Sequence, residues 1–495
     1  MSFYRLMKNR LIIIFLSSLV LISFFLRFYG LQKNLFFGPE QGIDFLVVKD
    51  IVVSHKLTLI GAKTDVSGIF HGPIYYYISA VPFVISHGDP LFILGFLIFI
   101  NSLTVILVYL LGKEMFSKRV GIFTALLYTP SFMIIVYSRG LSTHPLVIPL
   151  ETLFFLFLLK FLKGRRIYLL LAAIVFGLTG QAEFLNFLFI SVVSIFFIAS
   201  NFSKLKKQNP LYLLLCFVTL LIFSGATYFL FDIRHQFLMS KSVLTLLSGK
   251  SGYYTPLGVT ISQASSAFVS LFSNTLLPFS SFGGLLAIAI VATVAFKTFK
   301  EKNKKLLLLL VWLFAPLVVL LILHHAILDQ FFVFSIIAVV LCAAVCIEVI
   351  FEKSKYVGGG LLAVVLLFAL LNWNSTIAQN RNIFFQAPQP DLRLSDETRV
   401  INTICNDSQG SFSYQAYTIP YWESQGWDYL FWVYGQQKFG YAPTKNGQKF
   451  YVIIQDDPGN KSFQQAWIKN TVSTWGTVRK TWRFGILKIE ELALK

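Results

Sequence analysis

The chain has 495 residues, of which 56% are hydrophobic and 16% aromatic, whereas only 13% are charged. Soluble domains carry about 25% charged residues, so the composition excludes an ordinary cytosolic enzyme, and its many Phe and Tyr residues exclude a disordered or collagen-like chain. The formal net charge of +19 would suit a nucleic-acid-binding protein, and the positions of the basic residues decide whether that interpretation holds.

Apolar stretches long enough to cross a bilayer, about 20 residues each, recur along most of the chain. We predict eleven transmembrane spans, at 11–29, 90–111, 120–137, 144–161, 167–180, 184–201, 211–231, 281–298, 305–323, 330–350 and 357–373. The 167–201 stretch could also form one long helix, but Gly177, Gly180, Gln181 and Glu183 interrupt it. No small-residue cleavage site follows the first span, which is therefore expected to be an uncleaved anchor.

Basic residues are concentrated in every second connection between the predicted spans. Twenty Lys and Arg residues lie in the segments 1–10, 112–119, 160–166, 202–210, 297–305 and 351–356. The alternate connections hold only eight, although they are much longer. Because Lys and Arg concentrate on the cytoplasmic side, we expect a multi-pass protein of the cell membrane with a cytoplasmic N-terminus and an extracytoplasmic C-terminus. Most of the net charge is then a topology signal, and nucleic acid is excluded as a partner.

The first large extracytoplasmic segment in this topology is 30–89, and a second follows at 232–280. Within the first, we predict an amphipathic helix at 40–54 and an aromatic-rich segment at 70–86. Since Tyr and Trp settle at the membrane–water boundary, the segment at 70–86 is expected to lie along the membrane surface, with Tyr75, Tyr76 and Tyr77 as an aromatic belt.

The third extracytoplasmic segment is the C-terminal tail. Helices are predicted at 394–404 and near 461–471, and strands at 449–456 and 481–492. The predicted fold class is therefore an α-helical polytopic membrane protein with about eleven transmembrane helices and a small extracytoplasmic α/β domain. We expect the transmembrane module to occupy 1–373 and the soluble domain 374–495.

Ionisable residues collect at the extracytoplasmic ends of the predicted spans, where a charge is costly unless it is paired or functional. Glu40 and Asp44 stand four residues apart, which places both carboxylates on one helix face. Further candidates are Asp65, His71, Arg139, His144, Glu183, Asp232, Arg234, His235, His324, His325 and Asp329. Because these residues come from six different connections, a shared polar cavity explains them better than isolated solvated groups.

Simpler roles stay open for several of these residues. Asp329 could be a helix N-cap, and Arg139 and Arg234 could anchor to lipid headgroups. Glu183 is the most unusual position, since a carboxylate at a tight turn between two hydrophobic helices needs a partner. In a shared cavity, arginine would bind phosphate and a carboxylate would deprotonate a hydroxyl or amine, which together suit group transfer from a lipid phosphate.

The order of five motifs in 1–373 resembles the GT-C-type membrane glycosyltransferases. The similarity is greatest to bacterial relatives of the protein O-mannosyltransferase and aminoarabinose transferase group, which are similar to glycosyltransferase family 39. The motifs are GPEQGID at 38–44, FHGPIYYYISAVPF at 70–83, YSRGLSTHP at 137–145, GLTGQAEF at 177–184 and YFLFDIRHQF at 228–237.

The resemblance implies an inverting glycosyltransferase that takes a sugar from a polyprenyl-phosphate-linked donor at the extracytoplasmic face. It implies that Glu40, where relatives commonly have Asp, is the catalytic base, with Asp44 as the alternative. The donor phosphate is then expected to contact Lys63, Arg139, Arg234 and His235, and the substrates are expected to contact His71, Tyr75, His144, Glu183 and Asp329.

The resemblance leaves several points open. No metal-binding residues are predicted, and the use of a divalent cation varies across the GT-C fold. The sugar is not specified, and the acceptor could be a lipid, a protein or a polysaccharide. The alternative functions are a secondary transporter or lipid flippase, and a non-catalytic membrane scaffold.

Overall fold

The computed structural model describes residues 3–249, 254–375, 377, 392–421 and 423–495. Most of these residues are helical, and a four-stranded sheet lies in the C-terminal part. Nearly all of the region between 374 and 391, where the domain boundary is predicted, lies outside the described residues.

Helices joined by short loops form the part of the chain before residue 372. The first ten are α1 (Phe3–Phe28), α2 (Leu31–Asn34), α3 (Pro39–Val53), α4 (Ile74–Ser86), α5 (Pro90–Met115), α6 (Lys118–Tyr128), α7 (Phe132–Ser138), α8 (His144–Leu162), α9 (Ile167–Ala182) and α10 (Asn186–Leu205). They are followed by α11 (Pro210–Arg234), α12 (Leu238–Leu247), α13 (Leu257–Leu276), α14 (Gly283–Glu301), α15 (Lys304–Leu323), a 3₁₀ segment (Asp329–Ser335), α16 (Ile336–Lys353) and α17 (Lys355–Leu371).

Each of the eleven predicted spans coincides with a helix or with a pair of helices in the structure. Eight helices among the described residues are long and apolar enough to cross a membrane, and the bent pair of α6 and α7 makes a ninth if it counts as one span. The other two predicted spans correspond to the shorter apolar helices α9 and α17. The predicted multi-pass membrane fold is therefore confirmed.

The bend of 61° between α6 and α7 follows from the local sequence. Pro130 interrupts the helix because proline has no N–H to donate, and the carbonyl groups at the end of α6 lose their partners. Arg27 of α1, which is fully buried, supplies those partners by donating to Thr129 O at 3.2 Å and to Tyr128 O at 3.5 Å. In apolar surroundings such carbonyls must be satisfied internally, so Arg27 stabilises the bend.

Four of the basic connections meet at one end of the helix bundle, which we call the basic end. Lys163 pairs with Glu114, and Lys305 Nζ donates to Glu114 O at 3.2 Å. Lys204 Nζ donates to Leu162 O at 3.0 Å, and Lys304 Nζ donates to Ser200 O at 2.9 Å. The candidate site residues lie at the opposite ends of the same helices, as the alternation of charge predicts.

The C-terminal part combines helices with a mixed sheet. Its main elements are α18 (Leu394–Ser408), β1 (Phe412–Tyr417), α19 (Gln425–Leu430), β2 (Lys449–Gln455), α20 (Lys461–Trp467), β3 (Gly476–Phe484) and β4 (Leu487–Leu494). Helix α19 continues through a π-helical segment, Phe431–Gln436. The strand order is β1-β2-β4-β3, with β1 parallel to β2 and the other pairs antiparallel.

Most of the predicted elements of the tail are confirmed, but one is wrong. Helices at 394–404 and 461–471 and the strand at 449–456 correspond to α18, α20 and β2. The single strand predicted at 481–492 is instead the end of β3, a turn and β4, because Gly485 adopts a φ of 57° that reverses the chain.

The C-terminal part packs on α3 and on the loop between α4 and α5. Tyr434 Oη donates to Asp89 Oδ2 at 2.9 Å, and Trp432 stacks on Phe83 with 5.8 Å between ring centroids. Lys49 Nζ of α3 lies 4.6 Å from the Trp432 ring centroid, which is a cation–π contact. These contacts cover α3 and α4 with the C-terminal part of the chain.

Two glycines allow α3 and α19 to touch along their backbones. A Cβ atom on Gly42 would lie 2.3 Å from the backbone nitrogen of Gly426, and a Cβ on Gly426 would lie 3.2 Å from the carbonyl group of Gly38. No side chain fits at Gly42 without displacing α19. We call the contact between residues 38–42 and 425–426 the seam. The two backbones approach each other there so closely that only glycine fits at position 42.

Candidate active site

The predicted pair of carboxylates lies on α3, which begins at Pro39 directly after an extended Gly38. Gln41 Oε1 accepts a hydrogen bond from the Gly38 N–H at 3.0 Å and so satisfies a donor at the helix start. Glu40 is open to solvent on one side, whereas Asp44 is buried one turn later. The helix therefore presents one accessible and one enclosed carboxylate on the same face.

Asp44 contacts the tyrosines of α4. Tyr76 Oη donates to Asp44 Oδ1 at 2.6 Å, and the Tyr75 hydroxyl lies in the electrostatic field of the same carboxylate. Burial raises the pKa of Asp44 to about 7; the hydrogen bond from Tyr76 opposes that rise and the charge of Glu40 adds to it. Partial burial also raises the pKa of Glu40, and the nearby carboxylate Glu423 raises it further. We call Glu40, Asp44, Tyr75 and Tyr76 the acidic group.

The expected aromatic belt at Tyr75, Tyr76 and Tyr77 is wrong for the first two residues. Tyr75 and Tyr76 are 1% and 3% exposed, because α4 packs between α3 and α5 and turns both rings inward. Tyr77 Oη donates to Thr58 O at 2.7 Å. The aromatic run therefore builds the site instead of lining the membrane surface.

Histidines and carboxylates from the first extracytoplasmic segment and from three other connections form a second group. His71 Nδ1 accepts a hydrogen bond from the Phe184 N–H at 3.2 Å and lies 3.8 Å from Glu183 Oε1. His325 Nε2 lies 3.5 Å from Asp65 Oδ2. Asp65 in turn lies close enough to Glu183 for their charges to repel. We call His71, Glu183, Asp65, His325 and the neighbouring His144 the histidine group.

The protonation states of the histidine group are shifted by enclosure in protein. Burial lowers the pKa of His71 to about 3, with a further contribution from His144, so His71 is neutral at physiological pH. Burial raises the pKa of Glu183 to about 8, and repulsion by Asp65 adds to the rise. The Glu183 carboxyl is therefore mostly protonated at neutral pH and is able to donate a hydrogen bond. In this neutral form it does not require a cation as its partner.

The segment from His71 to Tyr76 connects the two groups. Gly72 N donates to Gln181 O at 2.7 Å, and a Cβ on Gly72 would lie 2.5 Å from the Gln181 side chain. This close approach holds His71 against the end of α9, while Tyr75 and Tyr76 follow within the first turn of α4. The acidic group and the histidine group are thus joined by this short segment of the chain.

The structure places Arg139 away from solvent. Arg139 is 2% exposed, and its Nη1 atom donates to Arg27 O and, at 2.9 Å, to Tyr29 O, both at the C-terminal end of α1. A cation is favoured there because free carbonyl groups give a helix C-terminus a negative partial charge. Its Nε and Nη2 atoms have no hydrogen-bond partner among the described residues. Arg139 therefore fixes the start of the segment that leads to Glu40.

The other three expected phosphate ligands lie together on a more open surface. Lys63, Arg234 and His235 are exposed. His235 stacks on Phe231 with 4.0 Å between ring centroids, and Phe231 contacts Phe70, which pairs with Lys63 in a short β-bridge. Lys63 and the end of α11 are therefore brought into the same neighbourhood.

Two further candidates, His144 and Asp329, lie around Tyr137. The His144 ring is 5.4 Å from the Tyr137 ring, and His144 Nδ1 is 2.9 Å from Ser142 Oγ. Asp329 interacts electrostatically with Tyr137 and begins the 3₁₀ segment before α16. The N-cap of that segment is Leu328, so the N-cap role considered for Asp329 is wrong.

Sequence reasoning missed three residues of this region. Their contacts could not be predicted from a local sequence pattern, since the partners lie 32 or more positions away in the chain. The three residues are Tyr76, Glu423 and Arg27. Among the described residues, no group of three or more His, Cys, Asp or Glu side chains is arranged to hold a metal ion.

Comparison with known proteins identifies the fold. Residues 70–229 match the family model for dolichyl-phosphate-mannose-protein mannosyltransferases. ArnT from Cupriavidus metallidurans bound to undecaprenyl phosphate is 11% identical, with a TM-score of 0.65 over 97% of both chains. The apo form of ArnT is 13% identical, with a TM-score of 0.62 over 98% of both chains. The chain has the GT-C fold.

A more distant GT-C structure agrees with this assignment. The oligosaccharyltransferase of Archaeoglobus fulgidus, tethered to an acceptor peptide, is 13% identical, with a TM-score of 0.51 over 94% of this chain and 72% of that one. No curated protein sequence matches the chain. The resemblance drawn from the sequence motifs is confirmed. The family match contains His71, Tyr75, Arg139, His144 and Glu183, whereas Glu40 and Asp44 precede it.

Proposed function

We propose that this chain is an integral-membrane glycosyltransferase that moves a sugar from a polyprenyl-phosphate-linked donor to an acceptor, with inversion at the anomeric carbon. The observation that carries the proposal is the pair of carboxylates on one face of α3, beside two buried tyrosines, in a GT-C fold. The family match and the likeness to ArnT, solved with undecaprenyl phosphate, support a polyprenyl-phosphate donor.

In this reaction Glu40 is the general base. It takes the proton of an acceptor hydroxyl or amine as that group forms a bond to the anomeric carbon, while the bond from that carbon to the phosphate oxygen breaks. Polyprenyl phosphate leaves on the opposite face, so the configuration at the carbon inverts. Glu40 suits this role better than Asp44, because Glu40 is accessible and Asp44 is enclosed and bonded to Tyr76.

Lys63, Arg234 and His235 are proposed as the phosphate ligands. Lys63 and Arg234 are exposed cations, and the exposed His235 ring lies beside them on elements that pack together. The two cations would offset the negative charge that develops on the departing phosphate, and the His235 ring would offer it a hydrogen bond. Arg139 is proposed to act indirectly, since its Nη1 atom is already bonded to the end of α1. The residues proposed to contact the substrates are His71, Tyr75, His144, Glu183 and Asp329.

An apolar groove between α1 and α5 is a candidate for part of the donor chain. The groove has a volume of about 580 Å³ and is lined mainly by Phe24, Phe28, Phe92, Phe96 and Phe99. Ser86 and Asp89 stand at its edge, on the loop that the C-terminal part also contacts. A polyprenyl chain needs such an apolar surface beside a polar site.

The proposed orientation places the basic end in the cytoplasm and the acidic group outside. The ion pairs and hydrogen bonds among the basic connections support it, since Lys and Arg concentrate on the cytoplasmic side. We further propose that 1–373 forms the catalytic membrane module and that 374–495 forms an extracytoplasmic domain. The acceptor is then a lipid, a protein or a polysaccharide of the cell envelope.

Turnover of lipid-linked sugars by the purified protein tests the proposal. We expect release of polyprenyl phosphate when the protein in proteoliposomes is given polyprenyl-phosphate mannose, glucose or arabinose together with an envelope-lipid extract, a peptide mixture or a polysaccharide fraction. A preparation that moves these lipids between leaflets but releases no polyprenyl phosphate from any of them would support the transporter alternative instead.

A further inference from the structure

The seam between α3 and α19 brings a residue of the C-terminal part to the catalytic region. Gly38 and Gly42 both contact the backbone at 425–426, and Glu40 lies between these two glycines on the chain. Glu423 lies three residues before Gly426. The close backbone contact therefore places the Glu40 and Glu423 side chains on the same short seam, and their carboxylates interact electrostatically.

The segment that carries Glu423 is held in place by its own hydrogen bonds. The Glu423 N–H donates to Thr418 Oγ1 at 3.1 Å, and Thr418 Oγ1 donates to Pro420 O at 2.8 Å. Thr418 is buried, so this link is shielded from water. On the other side, Ser424 Oγ donates to Asp428 Oδ2 at 2.9 Å. These hydrogen bonds hold the backbone of Glu423 and the side chain of Ser424 just before α19.

The titratable groups around Glu40 come from three elements. Asp44 lies on α3 itself, Tyr75 and Tyr76 lie on α4, and Glu423 lies before α19. Lys49, the next cation along α3, is directed instead at the Trp432 ring. The charged group that acts on Glu40 is Glu423, and the groups that act on Asp44 are Tyr76 and Glu40.

Tyr75 connects the acidic group to the C-terminal part. It is 1% exposed, and its hydroxyl interacts with the Ser79 hydroxyl one turn further along α4. It interacts electrostatically with Asp44 of α3 and with Tyr429 of α19, so it stands between the acidic group and the C-terminal part.

We propose that the C-terminal part completes the active site and that Glu423 is a positioning residue whose negative charge acts on the base Glu40. This inference rests on the proposed glycosyltransferase function. The C-terminal part then contributes to catalysis through the charge of Glu423.

The pH profile of donor turnover separates this role from a purely structural one. Removal of the neighbouring negative charge makes Glu40 ionise at lower pH. In Glu423→Gln, the part of the acid limb of kcat/KM that lies below the titration of Asp44 near pH 7 therefore moves down by roughly half a pH unit. The KM for the donor is expected to stay unchanged. Glu423→Asp keeps the charge and should restore the wild-type profile, and Glu352→Gln, an exposed glutamate on α16, should leave the profile unchanged. A Glu423→Gln profile that superimposes on the wild type would overturn the inference.

A second measurement needs no activity and so distinguishes failure of this inference from failure of the proposed function. At pH 8, Glu40→Gln and Glu423→Gln should each raise the melting temperature, because each removes the same repulsion between like charges. The double variant should gain no more than the larger single effect. Strictly additive shifts would show that the two carboxylates do not interact, and would overturn the inference even if donor turnover were confirmed.

Discussion

The two carboxylates of α3 differ in surroundings, and this difference assigns their roles. Glu40 is accessible to an acceptor, whereas Asp44 is buried and receives a hydrogen bond of 2.6 Å from Tyr76. With a pKa of about 7, Asp44 loses its proton near physiological pH, and the negative charge of Glu40 works against that loss. Asp44 therefore links the state of the base to the position of α4.

Donor turnover should consequently rise with pH through about 7, because ionised Asp44 holds Tyr76 in its hydrogen bond. In Asp44→Asn this limb of the profile should disappear, and turnover at pH 8 should fall by about tenfold, which corresponds to about 1.4 kcal/mol in the barrier. The measurement is kcat against pH for both proteins. An unchanged limb near pH 7 in Asp44→Asn would assign the titration to another group.

Glu183 offers a test of stability at the residue scale. A carboxyl whose pKa rises from 4.5 to about 8 on folding holds its proton more tightly in the folded state, so its contribution to stability is full below pH 4.5 and is lost as the pH rises toward 8. Glu183→Gln resembles the protonated form and should raise the melting temperature at pH 8 relative to pH 5. Glu352→Gln is the matched control, and equal shifts for both variants at both pH values would refute the assignment.

Part of the site could be predicted from local spacing and part could not. The four-residue separation of Glu40 and Asp44 is sufficient to place both on one helix face. The burial of Arg139 could not be predicted, because the carbonyl groups that it satisfies belong to the end of α1, 110 positions earlier. Glu423 could not be predicted either, since its proximity to Glu40 depends on a contact between glycines about 380 positions apart.

At the scale of elements, the bend between α6 and α7 depends on Arg27. Replacement by Met keeps the length of the side chain but leaves Tyr128 O and Thr129 O without donors. We expect Arg27→Met to destabilise the protein by about 2 kcal/mol or more, because unsatisfied buried carbonyls cost about 1–3 kcal/mol each. A lower melting temperature of Arg27→Met than of the wild type, in detergent and in lipid nanodiscs, would show this loss of stability.

The exposed Arg479 of β3 provides the control for this test. Arg479→Met should leave the melting temperature within error of the wild type. If Arg27→Met were as stable as Arg479→Met, the carbonyls of the bend would have another source of hydrogen bonds, and the account of the bend would be wrong.

The sequence predicts elements well where one physical signal dominates. Long apolar runs lie within the observed helices because a bilayer selects for length and hydropathy. The β3–β4 hairpin was missed because both strands share one continuous pattern, and only the conformation of Gly485 divides them. Strand β1 carries alternating polar and aromatic residues in FSYQAY, yet only its parallel pairing with β2 shows it to be part of the sheet.

At the scale of the whole molecule, the C-terminal part and the membrane helices meet along the seam at Gly42. Gly42→Ala adds a Cβ that would lie 2.3 Å from the Gly426 nitrogen, so α19 must move away. We expect at least a tenfold loss of donor turnover and faster proteolytic release of the C-terminal part. Gly225→Ala on α11, where a Cβ meets nothing within 4 Å, is the matched control.

Wild-type donor turnover by Gly42→Ala would show that docking of the C-terminal part does not affect the chemistry. Loss of activity in both glycine variants would point instead to general sensitivity of the helices. The expected contrast between the two variants links the packing of distant segments to function.

Donor turnover by Glu40→Gln tests most directly whether Glu40 is the general base. The substitution keeps the shape of the side chain but removes the proton acceptor, so release of polyprenyl phosphate should fall by a factor on the order of 10²–10⁴ while folding stays intact. Glu352→Gln, prepared in parallel, should retain wild-type turnover. Wild-type turnover by a correctly folded Glu40→Gln variant would contradict the account.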